Sequence, residues 1–222
     1  MTIPFKTAIF DLDGTLLDTI VDLADSMNAT LQKYGFSALP IEHHKKAVGN
    51  GLRIYASRCI PEEKVSDPFL DTFVADLAAH YATNYQNETH PFPNILPLLD
   101  FLQENGVALA VLSNKRDAFT KDLVEKHFAG RFRCVYGERE NVPKKPNPRM
   151  AIAIAQECGA MPCKTLLIGD SIYDIKTAKN AGMTSIAVLW GYQSREQLTL
   201  ERPDFLANTP QDIIEYLKKR SI

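Results

Sequence analysis

The feature that most constrains the fold of this chain is a series of short apolar runs, each followed by polar or turn-forming residues. The runs are rich in β-branched residues and too short for buried helices, so they predict strands of a buried parallel sheet. They lie at Thr7–Phe10, Val107–Leu112, Arg133–Tyr136, Thr165–Ile168 and Thr184–Leu189.

Helical patterns alternate with the later apolar runs, and three of them are followed by a glycine where a left-handed C-cap is expected. They cover Ile95–Glu104, Asp117–Phe128, Arg149–Cys158 and Tyr173–Ala181. Strands that alternate with helices form βαβ units. We therefore predict an α/β fold whose core is an open parallel Rossmann-like sheet, covered by helices on both faces.

The first two apolar runs are separated by about 75 residues, far more than the dozen or so that a crossover needs. This interval has helical patterns of its own, at Asp18–Tyr34, Ile41–Val48, Leu52–Cys59 and Phe69–Tyr85. We predict that residues 17–90 form an inserted all-helical subdomain, and that residues 1–16 and 91–222 form the core.

The composition excludes several classes of function. The 222 residues include 25 Lys and Arg against 27 Asp and Glu, so a net charge of −2 gives no general attraction to nucleic acid or anionic lipid. No apolar stretch approaches the ~18 residues of a membrane span. The four cysteines lack C-x-x-C spacing, which favours reduced thiols. We expect a cytoplasmic protein with a small-molecule partner and no nucleic-acid or membrane partner.

Polar residues follow three of the predicted strands at their carboxyl ends. Asp11, Ser113 and Asp170 take these positions, and ligands of open α/β sheets bind outside the carboxyl ends of the strands. The first segment reads D-L-D-G-T from Asp11 to Thr15, and its spacing puts two carboxylates, those of Asp11 and Asp13, on one side of an extended turn. Such residues also form ordinary turns, but their place after a strand favours a functional site.

Other polar groups belong to the same edge of the predicted sheet. Ser113 and Asn114 could bind a phosphate at a helix entrance, or one of them could cap that helix. The segment K-K-P-N-P at residues 144–148, taken alone, could be a solvated loop. Asp170 and Asp174 lie four residues apart at a helix entrance, where capping explains one acid but hardly both.

In this order, the four segments resemble the motifs of the haloacid dehalogenase-like superfamily: D-x-D-G-T, a strand ending in S-N, K-P-x-P and G-D-S-x-x-D. The resemblance covers nearly the whole chain and implies that the helical insert is the cap of that superfamily. The segments V-G-N-G-L from Val48 and P-F-P-N from Pro91 look like the phosphoglycolate phosphatase subfamily. The resemblance therefore implies a phosphoric monoester hydrolase.

The resemblance also implies roles for single residues. Asp11 would be the nucleophile that forms an aspartyl-phosphate, and a carboxylate of ordinary pKa needs no base to activate it at pH 7. Asp13 would protonate the leaving alkoxide and then take a proton from the attacking water. Lys145 would neutralise the phosphoryl oxygens and contact Asp11, and Ser113 and Asn114 would donate hydrogen bonds to the same oxygens.

The metal site implied by the resemblance consists of oxygen atoms. Asp11, Asp170 and the main-chain carbonyl of Asp13 would bind a hard cation, for which we expect Mg²⁺. Without the cation, like charges would raise the pKa values of these acids. Asp174 and Thr15 are expected to support the groups that contact the metal, with Asp174 orienting Lys145 or a metal-bound water.

Three functions remain open at this point. The first is a Mg-dependent phosphatase that hydrolyses small phosphomonoesters, similar to phosphoglycolate phosphatase. The alternatives are a phosphosugar mutase of the β-phosphoglucomutase type, which shares these motifs, and a non-catalytic binding protein on the same fold. A monomer or a homodimer is expected. Lys144 could share the role of Lys145, because only the K-P-x-P pattern distinguishes the two neighbouring lysines.

Two residues of the helical insert are candidates for substrate contacts. Asn50 lies in a turn between two glycines, and Arg53 follows it in a short predicted helix. Arg53 could bind a substrate carboxylate through its two-pronged guanidinium, or it could be a solvated helix residue. Because an insert of this size could close over the site, we expect a small substrate, with 2-phosphoglycolate the leading candidate.

Overall fold

The computed structural model describes residues 3–221, and five of its strands begin within one residue of a predicted apolar run. The strands are β1 (Thr7–Phe10), β2 (Leu17–Asp18), β3 (His90–Pro91), β4 (Ala108–Arg116), β5 (Cys134–Glu138), β6 (Thr165–Gly169), β7 (Thr184–Val188) and β8 (Phe205–Ala207). The strands β2, β3 and β8 lie outside the predicted runs. Strands of two or three residues are too short to show a distinctive pattern in the sequence.

Within the described residues, a six-stranded sheet has the order β5-β4-β1-β6-β7-β8, and the pairs with a defined register are parallel. The strand β1 lies between β4 and β6, with Phe10 opposite Val111 on one side and Ile168 on the other. Because β1 is buried along its whole length, its apolar run forms the middle of the core. The predicted α/β fold with an open parallel sheet is confirmed.

The strand β4 is longer than its apolar run. The prediction ended this strand at Leu112, whereas β4 continues through four more residues to Arg116. Its pairing with β5 shifts register between Leu112 and Arg116, which marks a bulge or irregularity. The polar residues after Leu112 are therefore part of the strand, and their side chains alternate between its two faces.

The first eight helices cover the runs that their periodicity predicts, with ends that differ by at most two residues. They are α1 (Ile20–Lys33), α2 (Ile41–Ala47), α3 (Leu52–Cys59), α4 (Asp67–Asn84), α5 (Ile95–Glu104), α6 (Asp117–Phe128), α7 (Arg149–Glu157), α8 (Ile172–Ala181), α9 (Arg195–Leu200) and α10 (Pro210–Lys219). The last two were not predicted. Both begin with a capping box, at Ser194 and Thr209, which is a signal that the sequence does contain. Along residues 3–221, no helix combines the length and hydropathy that crossing a bilayer requires.

The chain divides into two compact units. One contains the residues up to Leu17 and those from Pro91 onward, and the other is Asp18–His90. The first unit contains the six-stranded sheet, and the second contains α1 to α4. The short strands β2 and β3 pair where the chain passes from one unit to the other.

The helical unit has a core in which buried polar groups find partners. His44 is fully buried, and its Nδ1 lies 2.7 Å from the hydroxyl of Tyr55, while its Nε2 lies 3.2 Å from Oδ1 of Asn28. The carboxylate of Asp22 accepts hydrogen bonds from the backbone N–H groups of Glu88 and Thr89, at 2.9 and 3.0 Å. These bonds fasten the end of the unit to its first helix.

Candidate active site

Asp11 emerges from the middle of the sheet. Its backbone N–H donates to the carbonyl of Ile168 at 2.9 Å, which continues the ladder of β1 one residue past the strand. Its carboxylate Oδ1 accepts from the N–H of Leu12 at 2.7 Å and lies 2.9 Å from Nζ of Lys145. The side chain remains 12% exposed, so a ligand outside the sheet can reach it.

Lys145 reaches this carboxylate from the loop between β5 and α7. Its side chain is 2% exposed, and its Nζ also lies 2.6 Å from Oδ1 of Asp174. Lys144 instead pairs with Glu138 at 2.9 Å and is one-third exposed. The structure therefore places Lys145, and not Lys144, beside Asp11.

Asp174 holds Lys145 from a rigid position. It lies in the first turn of α8, where its Oδ2 accepts from the backbone N–H of Ser171 at 3.1 Å and from the Ser171 hydroxyl at 2.6 Å. One carboxylate oxygen thus caps the helix and the other orients the lysine. Gly169 keeps this arrangement open, because a Cβ there would lie 2.2 Å from Cγ of Asp174.

Asp170 is held by groups from two loops. Its Oδ2 accepts from the N–H of Tyr192 at 2.8 Å, and the hydroxyl of Thr15 donates to its Oδ1 at 3.2 Å. A Cβ on Gly14 would lie 2.3 Å from Asp170 Oδ2, and one on Gly191 would lie 2.2 Å from Asp170 Cβ. Both glycines therefore let the backbone approach this carboxylate closely.

If all three were ionised, the acids Asp11, Asp170 and Asp174 would carry more negative charge than Lys145 balances. Burial raises the pKa of Asp11 to about 7, although the Lys145 ammonium opposes that rise. Burial, together with the charges of Asp11 and Asp174, raises the pKa of Asp170 well above its ordinary value. Burial disfavours the charge on Lys145, but Asp11 and Asp174 outweigh it and raise the pKa of this lysine. Burial is a larger cause here than the like-charge repulsion that the sequence suggested.

The residues fit a hard metal ion. Carboxylate oxygens of Asp11, Asp170 and Asp174 all lie within 4.8 Å of one another. Asp174 already uses both of its oxygens, on Lys145 and on Ser171, so Asp11 and Asp170 are the better side-chain ligands. An oxygen-only donor set with excess negative charge suits Mg²⁺.

Ser113 and Asn114 do not cap a helix, because β4 runs through both of them and α6 begins only at Asp117. Oδ1 of Asn114 accepts from the N–H of Lys145 at 3.0 Å, and its Nδ2 donates to the Lys145 carbonyl at 3.3 Å. The Asn114 side chain therefore holds the main chain of Lys145. A contact between Asn114 and a phosphate stays a prediction. The Ser113 hydroxyl accepts from the N–H of Lys115 at 3.2 Å, so its own hydrogen can donate to a ligand.

Asp13 has a cation beside it that the sequence interpretation did not single out. Nζ of Lys115 lies 3.0 Å from Oδ1 and 3.3 Å from Oδ2 of Asp13. The structure therefore brings Asp13 together with Lys115, and Asp11 together with Lys145.

A comparison with protein families decides the family. The model of the haloacid dehalogenase-like hydrolases matches residues 8–188, which include all four segments described above. This chain belongs to the haloacid dehalogenase-like hydrolases. The resemblance noted in the sequence is confirmed, as is the expectation of an enzyme of the phosphoric monoester hydrolase class.

Named relatives of this haloacid dehalogenase-like hydrolase align over almost their whole length. A phosphoglycolate phosphatase of Aquifex aeolicus is 31% identical over 213 residues, which is 96% of each chain. A phosphoglycolate phosphatase of Agrobacterium fabrum is 33% identical over 215 residues, covering 91% of this chain and 90% of the relative. A crystal structure of a candidate phosphoglycolate phosphatase from Lactobacillus delbrueckii subsp. bulgaricus superimposes with a TM-score of 0.91 at 32% identity, over 96% of this chain and 98% of that one.

The loop after β7 of this hydrolase also contributes to the site, and the sequence interpretation missed it. Nε1 of Trp190 donates to the carbonyl of Thr15 at 3.0 Å, and the next two residues, Gly191 and Tyr192, contact Asp170. The signal that could have found this loop is its place directly after a predicted parallel strand.

The two candidate residues of the helical unit lie near the start of α3. Asn50 stands between Gly49 and Gly51, whose φ angles of 122° and 83° allow the turn. Arg53 forms ion pairs with Asp67, at 2.6 Å, and with Asp71 on α4, and its side chain is 41% exposed. A role of Arg53 in binding substrate stays a prediction, and it requires the guanidinium to exchange these acidic partners for a carboxylate of the substrate.

Proposed function

We propose that this hydrolase is a Mg-dependent phosphatase that cleaves small phosphomonoesters through an aspartyl-phosphate on Asp11. One observation carries the proposal: buried Lys145 bridges Asp11 and Asp174 directly beside Asp170. A nucleophilic carboxylate, a fixed ammonium and an acidic metal site are the parts that phosphoryl transfer needs, because positioning and charge neutralisation dominate its catalysis.

In the first step, a carboxylate oxygen of Asp11 attacks phosphorus and the bond from phosphorus to the alkoxide oxygen breaks. The Lys145 ammonium faces the attacking carboxylate and, held by Asp174, is oriented to neutralise the phosphoryl oxygens before the substrate arrives. The Ser113 hydroxyl can donate to the same oxygens. Asn114 keeps the main chain of Lys145 in place.

Asp13 is proposed to handle the protons. Asp13 lies two residues after Asp11 and gives its proton to the leaving oxygen in the first step. In the second step, it takes a proton from the water that attacks the phosphoryl group on Asp11. The products are an alcohol, inorganic phosphate and free Asp11.

The metal ligands are proposed to be Asp11, Asp170 and the main-chain carbonyl of Asp13, and a bound Mg²⁺ would neutralise phosphoryl charge there. Thr15 and the N–H of Tyr192 would keep Asp170 oriented through the hydrogen bonds described above.

We propose 2-phosphoglycolate as the leading substrate. The support is that two relatives, 31% and 33% identical and aligned over nearly the whole chain, are named phosphoglycolate phosphatase. We also propose that residues 17–90 act as the cap, with Asn50 and Arg53 as its substrate contacts, and residues 1–16 and 91–222 as the catalytic core. A near-neutral net charge of −2 supports a small soluble substrate in place of nucleic acid or a lipid surface.

The test is a screen of small phosphomonoesters with Mg²⁺ and with excess chelator, in which release of inorganic phosphate is measured. We expect hydrolysis of 2-phosphoglycolate with Mg²⁺ and loss of activity in chelator. Isomerisation of a phosphosugar without phosphate release would favour a mutase. Full activity in excess chelator would contradict the metal site.

A further inference from the structure

The ion pair between Lys115 and Asp13 is set apart from the surface ion pairs of this chain by its burial. The Lys115 side chain is 6% exposed and that of Asp13 is 18% exposed. Exposed ion pairs contribute little free energy, because water and salt screen them, whereas a buried ammonium needs a well-placed partner. Nζ of Lys115 lies within 3.3 Å of both carboxylate oxygens of Asp13, so this ammonium contacts the whole carboxylate.

The main chain of Lys115 is held from several directions. Its N–H donates to the hydroxyl of Ser113, and its carbonyl accepts from the hydroxyl of Thr120 at 3.1 Å. Gly137 of the neighbouring strand packs against the same carbonyl, where a Cβ would come within 2.5 Å of the oxygen. Because β4 continues past Leu112, this lysine projects from a sheet strand and not from a loose loop. These contacts fix the Cα from which the side chain extends, and the contacts with Asp13 define where Nζ lies.

We propose that Lys115 is a positioning residue for Asp13 in the phosphoryl-transfer step. This inference rests on the proposed function, in which Asp13 protonates the leaving oxygen. The ammonium holds the carboxyl group in one orientation, towards the oxygen that departs. As the bond between phosphorus and oxygen breaks, the electron pair stays on the leaving oxygen, the Asp13 proton moves to it, and negative charge develops on Asp13. Lys115 stabilises that charge while it forms.

The proposal makes a prediction that a purely structural ion pair does not make. The contribution of a general acid depends on how much help the leaving group needs. An alkoxide is a poor leaving group and needs the proton, whereas p-nitrophenolate leaves readily without it. Loss of Lys115 should therefore slow the cleavage of an alkyl phosphate much more than that of p-nitrophenyl phosphate.

The experiment compares kcat/KM of the wild-type enzyme and of Lys115→Met on ethyl phosphate, 2-phosphoglycolate and p-nitrophenyl phosphate, with Mg²⁺ present. This constant reports the first phosphoryl transfer and not the later hydrolysis of the phosphoenzyme. We expect a loss of about tenfold to 100-fold on both alkyl esters and less than about threefold on the aryl ester, since general acid assistance contributes about 10²–10⁴-fold. Lys115→Gln, which keeps a hydrogen-bond donor, should show the same pattern with a smaller loss.

The control is Lys121→Met, which removes an ion pair of 2.7 Å with Asp117 on α6 and leaves Asp13 untouched. We expect it to keep wild-type constants on all three esters. If Lys115→Met does not fold, as judged by circular dichroism and thermal melting, Lys115→Gln provides the comparison.

Other outcomes overturn the proposal in distinct ways. Equal losses on all esters, or no loss on any, would show that Lys115 does not act through Asp13. A loss on 2-phosphoglycolate alone would show that Lys115 binds the substrate carboxylate and does not position Asp13. A wild-type enzyme that hydrolysed none of the esters would refute the proposed function itself and, with it, this inference.

Discussion

Replacing Lys145 by methionine should destabilise the protein in a pH-dependent way. The change keeps most of the side-chain volume but leaves Asp11 and Asp174 buried without the ammonium that lies 2.9 and 2.6 Å from them. Removing one partner of a buried ion pair costs about 3–5 kcal/mol, so we expect a loss of this size in the free energy of unfolding at pH 8. For a domain of this size, this corresponds to a decrease in Tm of roughly 6–20 °C.

The sign of the pH dependence follows from the pKa values. Burial already raises the pKa of Asp11 to about 7, and removing Lys145 removes the neighbour that opposes this rise. At pH 5.5 Asp11 is protonated in the folded state and the repulsion is relieved, whereas at pH 8 its ionisation or its protonation costs free energy. The loss of stability should therefore be larger at pH 8.

The assay is urea unfolding of the wild-type protein and of Lys145→Met at pH 5.5 and 8, both in chelator. The variant should also lose phosphatase activity at both pH values. Lys144→Met is the matched control, because it removes the more exposed pair with Glu138, which should cost at most about 1 kcal/mol. An equal loss of stability at the two pH values for Lys145→Met would refute the argument from buried charge.

Three further predictions follow from the same contacts. In chelator, the wild-type protein should lose stability as pH rises from about 5 to 8, because Asp11 (pKa about 7) holds a proton in the folded state that the unfolded chain has released. In a melting assay, Mg²⁺ should raise Tm more at pH 8 than at pH 5.5, because the cation binds the ionised acids of the folded state. Asn114→Ala should lower kcat at least tenfold with little change in KM, since it frees the main chain of Lys145; an unchanged kcat would contradict this. Arg53→Ala should raise KM for 2-phosphoglycolate more than for ethyl phosphate, because exposed pairs such as those with Asp67 and Asp71 exchange at low cost; equal effects on both esters would remove Arg53 from the substrate contacts.

The location of the site at the carboxyl ends of the strands was predictable from two features of the sequence and of parallel sheets. An apolar run identifies each strand, and in a parallel sheet the carboxyl ends of neighbouring strands lie at one edge. This was enough to predict that Asp11 and Asp170 lie at one edge of the sheet, and in the structure they follow β1 and β6, which are paired. The fold class followed from the same alternation of strands and helices.

Contacts that depend on the direction of a side chain were not predictable. Lys115, which pairs with Asp13, lies where β4 continues past Leu112 and its register shifts, and the apolar run gives no sign of this continuation. The bonds from Asn114 to Lys145 join a strand to a loop 31 residues away. Contacts between residues so far apart in sequence leave no periodic pattern from which they could be predicted.

Glycines and ion pairs far from the motifs illustrate the same limit. Gly191 approaches Asp170 closely, yet it is one of 11 glycines, and its sequence context identifies no ligand. Asp67 and Asp71 are four residues apart on α4, so their common face could be inferred. The packing of α3 on α4, which brings Arg53 to that face, could not.

The central claim, that Asp11 is the nucleophile, can be tested by trapping the phosphoenzyme. Wild-type enzyme is mixed with a radiolabelled phosphomonoester and Mg²⁺, quenched within one turnover, and digested to locate the label. We expect a transient, hydroxylamine-sensitive label on the peptide that contains Asp11. We expect no label on Asp11→Asn, which should retain less than about one hundredth of the wild-type rate. Label on a peptide without Asp11, or an Asp11→Asn variant with near wild-type turnover, would contradict the account.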